Sequence, residues 1–411
     1  MVVAIALGAL GGVATVVFLR LLDAVKDLLW TRLPQALGVE STAWFFIVPV
    51  VLVGAVILGL ARHQFGEYPV TIEQAIADHK RDGEFDYHHL WQAGLISVIS
   101  LGFGAALGPE AALTTIIGGI CSWVARVIDA NTTEKADLSF IGISGALGGL
   151  FGTAGAAVLV LDPQSTDGED ARSGRLWRVI PGIAAAVAGL YIYKLLGSSD
   201  HYFDLGLPAY AFAASDLLWA VPVAVVSAVA ALAFLYLEQG LDRLFAPIAH
   251  RAVVVSLIGG LGLAALGSWN SLMLFSGHEG VDTLVTDYGT DSTRMLLMLA
   301  VGKLAIAALM LSSMWKGGRF FPLMFVGAAI GLALSQVMPG ANEVTALAAG
   351  MTAVVGVLIR RPLVAVAFMI LFFPPPAWPV VIVAGILGAV VGTHLTPGLE
   401  AKAASGGATA A

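Results

Sequence analysis

Hydrophobic positions in this chain gather in long blocks, with polar residues confined to the joints between them. Apolar stretches fall at 2–19, 44–61, 91–107, 109–128, 138–161, 176–196, 214–237, 252–269, 295–314, 321–337, 344–359, 362–373 and 377–394. The polar connections lie at 62–86, 131–137, 163–178, 198–204 and 276–294, and 70–80 reads as a short amphipathic surface helix. A helix needs about 20 apolar residues to cross a bilayer. Several blocks are shorter or are broken by Gly and Pro, 362–373 among them. Broken backbone at membrane depth is tolerated only where it lines a cavity or lies inside protein. The pattern therefore predicts an all-α, multi-pass integral membrane protein with discontinuous helices, as in transporters and channels. The first block begins apolar at once, without the basic region that opens a secretory leader, and is read as a retained membrane helix.

Composition agrees. Of 411 residues 58% are hydrophobic and 12% charged, with mean hydropathy +0.88, against about 25% charged residues in a soluble domain. The 48 glycines suit close helix packing in a membrane. A net charge of −7 without a basic patch argues against nucleic acid as a partner. Cys121 is the only cysteine, so no intramolecular disulfide is available.

A weak internal repeat is visible. Gly118 follows Pro109 by nine residues, and Gly331 follows Pro322 by nine. Each run is succeeded by a segment of small residues, Ser144–Gly149 in one case and Ala349–Ala353 in the other, after intervals of 36 residues (Pro109 to Gly145) and 28 (Pro322 to Gly350). We expect two inverted-topology repeats with broken half-helices, at 1–200 and 201–396, and a disordered small-residue tail at 397–411.

Two segments carry candidate chemistry. In Leu107-Gly108-Pro109-Glu110, Gly-Pro opens a helix and Glu110 is an ionisable group at membrane depth, where a charge costs roughly 2.5 to 3.5 kcal/mol. The plainer alternative is a kink, with Glu110 complementing the dipole of its own helix. In Gly317-Gly318-Arg319-Phe320-Phe321-Pro322 the glycines admit close backbone approach, and Pro322 suits an early helical position. Its plainer alternative is a packed turn whose arginine snorkels to the interface. Helix N-termini attract anions. A buried ion, however, loses tens of kcal/mol of hydration, while one terminus returns at most about 2 kcal/mol. An intramembrane anion site therefore needs donors from more than one helix start. Ser276–Gly280 is read as a polar loop whose spacing matches no common metal site, Asn131–Thr133 as a chance glycosylation sequon, and no nucleophile, phosphate-loop or metalloprotease motif appears. We expect neither a cofactor nor enzymatic activity.

These residues resemble the CLC family of chloride channels and chloride/proton exchangers. Leu311–Gly331 is similar to the family's Gly-Gly-x-Phe-x-Pro segment, including glycines at five and nine residues past the proline, and 348–363 to the helix pair that follows it. Gly104–Gly119 and Ser144–Thr153 resemble the first-half counterparts. The resemblance implies a homodimer in the cell membrane with an anion pathway in each subunit. Chloride would be bound by Gly108, Pro109, Gly317, Gly318, Arg319, Phe320 and Pro322, with Leu107 and Glu110 at the gate. Three departures stand out. Leu107 occupies the place of the family's gating glutamate, with Glu110 three residues later, and only an outline of the serine-bearing loop survives at 66–70. A C-terminal pore tyrosine is missing, since the last tyrosine is Tyr288. The inner proton-accepting glutamate would fall at 162–167, where no clear glutamate stands out. Passive conduction is the simpler expectation, with a proton-coupled exchanger or a non-conducting scaffold as alternatives. Arg319, which the family pattern does not predict, would attract the anion or pair with Glu110 acting as a lid.

Overall fold

A computed structural model of the chain describes residues 1–66, 87–128, 132–151, 171–197 and 205–396. The surface helix expected at 70–80, the loop at 66–70 beyond Gly66, the segment 162–167, Asn131 and the tail lie outside these residues. Helices account for the described chain in order: α1 (Val2–Asp27), α2 (Leu33–Leu37), α3 (Trp44–Phe65), α4 (Leu90–Gly102), α5 (Glu110–Val127), α6 (Thr132–Leu150), α7 (Ala171–Leu196), α8 (Asp216–Phe245), α9 (Ala252–Trp269), α10 (His278–Thr286), α11 (Thr293–Ser312), α12 (Phe320–Val337), α13 (Glu343–Ile359), α14 (Pro362–Met369) and α15 (Trp378–Leu395). Among the described residues eight helical segments are long and apolar enough to cross a membrane. Shorter apolar helices, such as Leu90–Gly102 and Glu343–Ile359, supply the interrupted elements. Large aliphatic side chains remain exposed along the long helices, for example Leu218, Val229, Leu261 and Val301. Water would penalise that exterior and lipid does not. The protein is an all-α, multi-pass membrane protein.

The chain divides into two compact units. The first comprises Met1–Gly104, Gly108–Phe203 and Lys316–Gly318; the second comprises Ala105–Leu107, Asp204–Trp315 and Arg319–Ala411. Each is built on close backbone approach through small residues, which is how helices associate where burial of apolar surface gives no drive. In the first unit α1, α6 and α7 pack on one another, and a Cβ at Gly145 of α6 would lie 2.5 Å from the Cα of Gly8 in α1. In the second, α12 packs on α13 and α13 on α15, and a Cβ at Gly327 would lie 2.5 Å from the carbonyl oxygen of Gly350. Only glycine fits either position, so the small-residue segments at 144–149 and 349–353 are the inner seams of their units.

Two buried hydroxyls beside the start of α5 are satisfied locally. Thr114 and Thr115 of α5 donate to the carbonyls four residues back, Glu110 at 2.8 Å and Ala111 at 3.0 Å. Such bonds let a polar side chain sit at membrane depth without a distant partner.

One sequence expectation needs correcting. Ser276–Gly280 is not a loop throughout: Gly277, in the left-handed conformation at φ +83°, caps α10, which begins at His278. The polar sequence hid a helix start because a glycine cap leaves no side-chain signature.

Candidate functional site

The helix that follows Gly108-Pro109 starts where the sequence says it should. Pro109 is the N-cap of α5 and Glu110 its first residue. Proline costs nothing there, because an N–H at that position has no intrahelical acceptor. Glu110 is 1% exposed and is the acidic residue of the first turn of α5.

Within the first unit, Gly108 and Gly318 form an antiparallel bridge. Gly108 N–H donates to the Gly318 carbonyl at 2.8 Å, and Gly318 N–H donates back to Gly108 at 2.6 Å. The same loop is fixed one step earlier, where Lys316 N–H donates to Ser100 Oγ of α4 at 2.9 Å. A Cβ at Gly318 would overlap Cγ and Cδ of Glu110, so a side chain there would require Glu110 to move. The buried carboxyl group of Glu110 is thus packed against the backbone of the second glycine motif, 208 residues away in sequence.

In the second unit the same loop is approached from α11. That helix ends in a Schellman arrangement, with Met314 at φ +72° and Trp315 N–H bonded to the Met310 carbonyl at 3.1 Å. Trp315 is fully buried and donates its indole N–H to the Ser256 carbonyl at 3.0 Å. Four residues on, Arg319 is the N-cap of α12 and Phe320 its first residue. Pro322 takes the third helical position, and the first backbone bond closes from Leu323 N–H to the Arg319 carbonyl at 3.2 Å. Phe321 meets His278 edge to face at 5.3 Å.

Within the second unit a carboxylate of α8 lies beside Arg319: Glu238 Oε2 is 3.3 Å from a guanidinium nitrogen. Glu238 is not among the residues the sequence singles out. The glutamate sits one residue beyond the apolar block 214–237, an ionisable group at the end of a span that could have been flagged on that ground. Lys303 was missed in the same way. It is fully buried inside α11, and its Nζ donates to the carbonyls of Leu272, Met273, Leu274 and Phe275 at 3.0, 3.4, 3.0 and 2.6 Å. The ammonium also lies 5.4 Å from the centroid of the Phe325 ring, a cation–π distance. It anchors the segment leading into α10 against the first turns of α12.

Comparison with known proteins places this arrangement. The model of the voltage gated chloride channel family matches residues 50–394. YfeO of Escherichia coli O17:K52:H18 (strain UMN026 / ExPEC), named an ion-transport protein, is 27% identical over 368 residues, covering 87% of this chain and 84% of that one. Its counterpart in Shigella boydii serotype 4 (strain Sb227) is 28% identical with the same coverage. Among solved structures, a slow cyanobacterial Cl−/H+ antiporter superposes with a TM-score of 0.83 at 16% identity, covering 98% of both chains. A CLC-type fluoride/proton antiporter superposes with a TM-score of 0.77 at 16% identity, covering 95% of this chain and 94% of that one. The fold is that of the CLC transporters. A match of the family model over most of the sequence makes the chain a member of the voltage gated chloride channel family.

Proposed function

We propose that the protein carries a small monovalent anion, chloride foremost, across the cell membrane as a homodimer, by a passive pathway in each subunit. The reciprocal hydrogen bonds between Gly108 and Gly318 carry this reading. Each of these glycines stands two residues ahead of a helix start, at Glu110 and at Phe320. A glycine backbone with no side chain is what close approach to a ligand requires. In this reading the anion is held by the backbone amides at Arg319 and Phe320, with Pro322 fixing the helix direction. Arg319 adds a full positive charge. Leu107, buried and without a proton to exchange, supports passive flow. The decisive assay is efflux from chloride-loaded liposomes containing the purified protein. Selective, protein-dependent loss of chloride without matching proton movement is expected; no anion flux above empty vesicles would refute the reading.

Glu110 supports a second reading, an anion/proton exchanger, because its carboxyl group is buried against Gly318 in the same loop. The two readings separate on Glu110→Gln. In an exchanger this substitution abolishes proton movement that accompanies the anion. In a passive pathway it leaves no coupling to lose, raising flux about twofold to fivefold or flattening its pH dependence.

A further inference from the structure

We propose that the notch beyond the end of α9 is a lipid site, holding one acyl chain of an anionic phospholipid whose phosphate meets Arg294. Such a site lies on the lipid-facing exterior of the second unit and is independent of what the protein carries.

The notch follows from the way α9 packs on α11. The two helices run antiparallel: a Cβ at Gly259 would meet Ser313, one at Gly262 would meet Leu309, and one at Gly302 would lie 3.5 Å from the ring of Trp269. Trp269 is the last residue of α9, so that helix stops level with Gly302. α11 continues beyond it to Thr293, about 14 Å along the axis at the helical rise. A cavity of about 760 Å³ opens there, lined by Leu266 and Trp269 of α9 and by Arg294, Leu297, Met298 and Val301 of α11.

Depth, surface and charge together say what covers it. With 20 residues α11 is long enough to cross a bilayer, whose hydrocarbon core is about 30 Å thick. Its first residues therefore lie at one interface, and the notch reaches about as deep as a single leaflet. Leu297, Met298 and Val301 are 41%, 40% and 68% exposed, a wall that hydrocarbon solvates and water does not. Arg294 is exposed at the outer end, and among the described residues no hydrogen bond or ion pair engages its side chain. The first turn of α11 holds no acidic residue, so the guanidinium adds to the positive end of the helix dipole instead of offsetting it.

An apolar wall of leaflet depth, ending in an unneutralised guanidinium, is complementary to a phospholipid of net negative charge. The chain lies along α11 and the phosphodiester accepts from the arginine. A zwitterionic lipid brings its own cation to compete for that phosphate. An arginine that merely snorkels to the interface predicts something different: lipids would exchange along α11 without regard to headgroup, and filling the notch would not alter which of them stay with the protein.

The test is native mass spectrometry of the purified full-length protein after exchange into equimolar phosphatidylglycerol and phosphatidylcholine with identical acyl chains. The parent is expected to retain phosphatidylglycerol on each subunit with about fivefold preference. Arg294→Gln should bring the two lipids near parity, and Arg294→Lys should keep most of the preference. Val301→Trp, which fills the notch from an exposed position, should lower retention of both lipids, whereas Val229→Trp, at an exposed position of α8, should retain them as the parent does. Equal retention by the parent and Val301→Trp, or an unchanged preference in Arg294→Gln, would overturn the proposal. Should these variants fold poorly, fluorescence of the parent in vesicles gives a second test. Bromine near the chain ends of phosphatidylglycerol should quench the emission of Trp269, taken as the difference between the parent and Trp269→Phe, more strongly than the same label on phosphatidylcholine; equal quenching by the two would overturn the proposal.

Discussion

The two helix starts invite comparison because the sequence treats them as equivalents and the structure equips them differently. Both follow a glycine, and both carry proline close to the first turn, Pro109 as N-cap of α5 and Pro322 as the third residue of α12. At α5 the first side chain is a carboxylate, Glu110, buried against Gly318. At α12 the cap is a guanidinium, Arg319, accompanied by Glu238. The first start therefore carries an acidic side chain within its own first turn, and the second a guanidinium with an acidic neighbour. Two similar backbone frames thus differ in the side chain each places at its helix start.

The supports differ in the same sense. The start of α12 is backed by Lys303, whose ammonium gathers four consecutive carbonyls ahead of α10. Lys303→Met removes that donor from buried carbonyls, a loss of about 3 kcal/mol. It should lower the melting temperature and speed amide exchange in the first turns of α12, while exchange in α5 stays near the parent rate. Equal acceleration in both helices would show that the lysine supports the fold at large.

Gly318→Ala tests the join itself. The added methyl group meets Glu110, and crowding of this kind costs about 1–3 kcal/mol. The expected result is a less stable protein with reduced chloride efflux, partly restored by Glu110→Ala, which removes the obstructing atoms. If the second substitution restores nothing, the contact between Gly318 and Glu110 is not what excludes a side chain.

Arg319→Gln should weaken chloride binding about tenfold, a difference of about 1.4 kcal/mol. Because the backbone amides remain, some binding should survive; unaltered affinity would mean that the guanidinium takes no part. The smallest effect is expected from Ser100→Ala, which removes the hydroxyl that accepts from Lys316 N–H. Its cost of about 1 kcal/mol should appear in thermal stability, with chloride affinity unchanged.

What the sequence made legible was whatever depends on near neighbours. Gly-Pro at 108–109 and Pro322 mark helix starts because proline's fixed torsion and missing N–H act within one turn, and the structure starts α5 and α12 there. The apolar blocks announce spans because length and hydropathy are local sums. The ion pair of Arg319 escaped notice because its partner lies 81 residues earlier, and nothing near Arg319 indicates which carboxylate the fold will deliver. Lys303 was hidden for a related reason. A lone lysine in the block 295–314 says that a partner must exist, and the partners are backbone carbonyls, which every sequence has everywhere. The start of α10 was misread because its cap is a glycine and its first residues are polar.

The central claim is that an anion is held by the backbone at the beginning of α12. Crystals of the full-length protein soaked in sodium bromide and measured at the bromine absorption edge would test it directly. The account predicts an anomalous peak within hydrogen-bonding reach of the amide nitrogens of Arg319 and Phe320, weakened in Arg319→Gln. Bromide found at the protein surface alone, with no peak at this helix start, would contradict it.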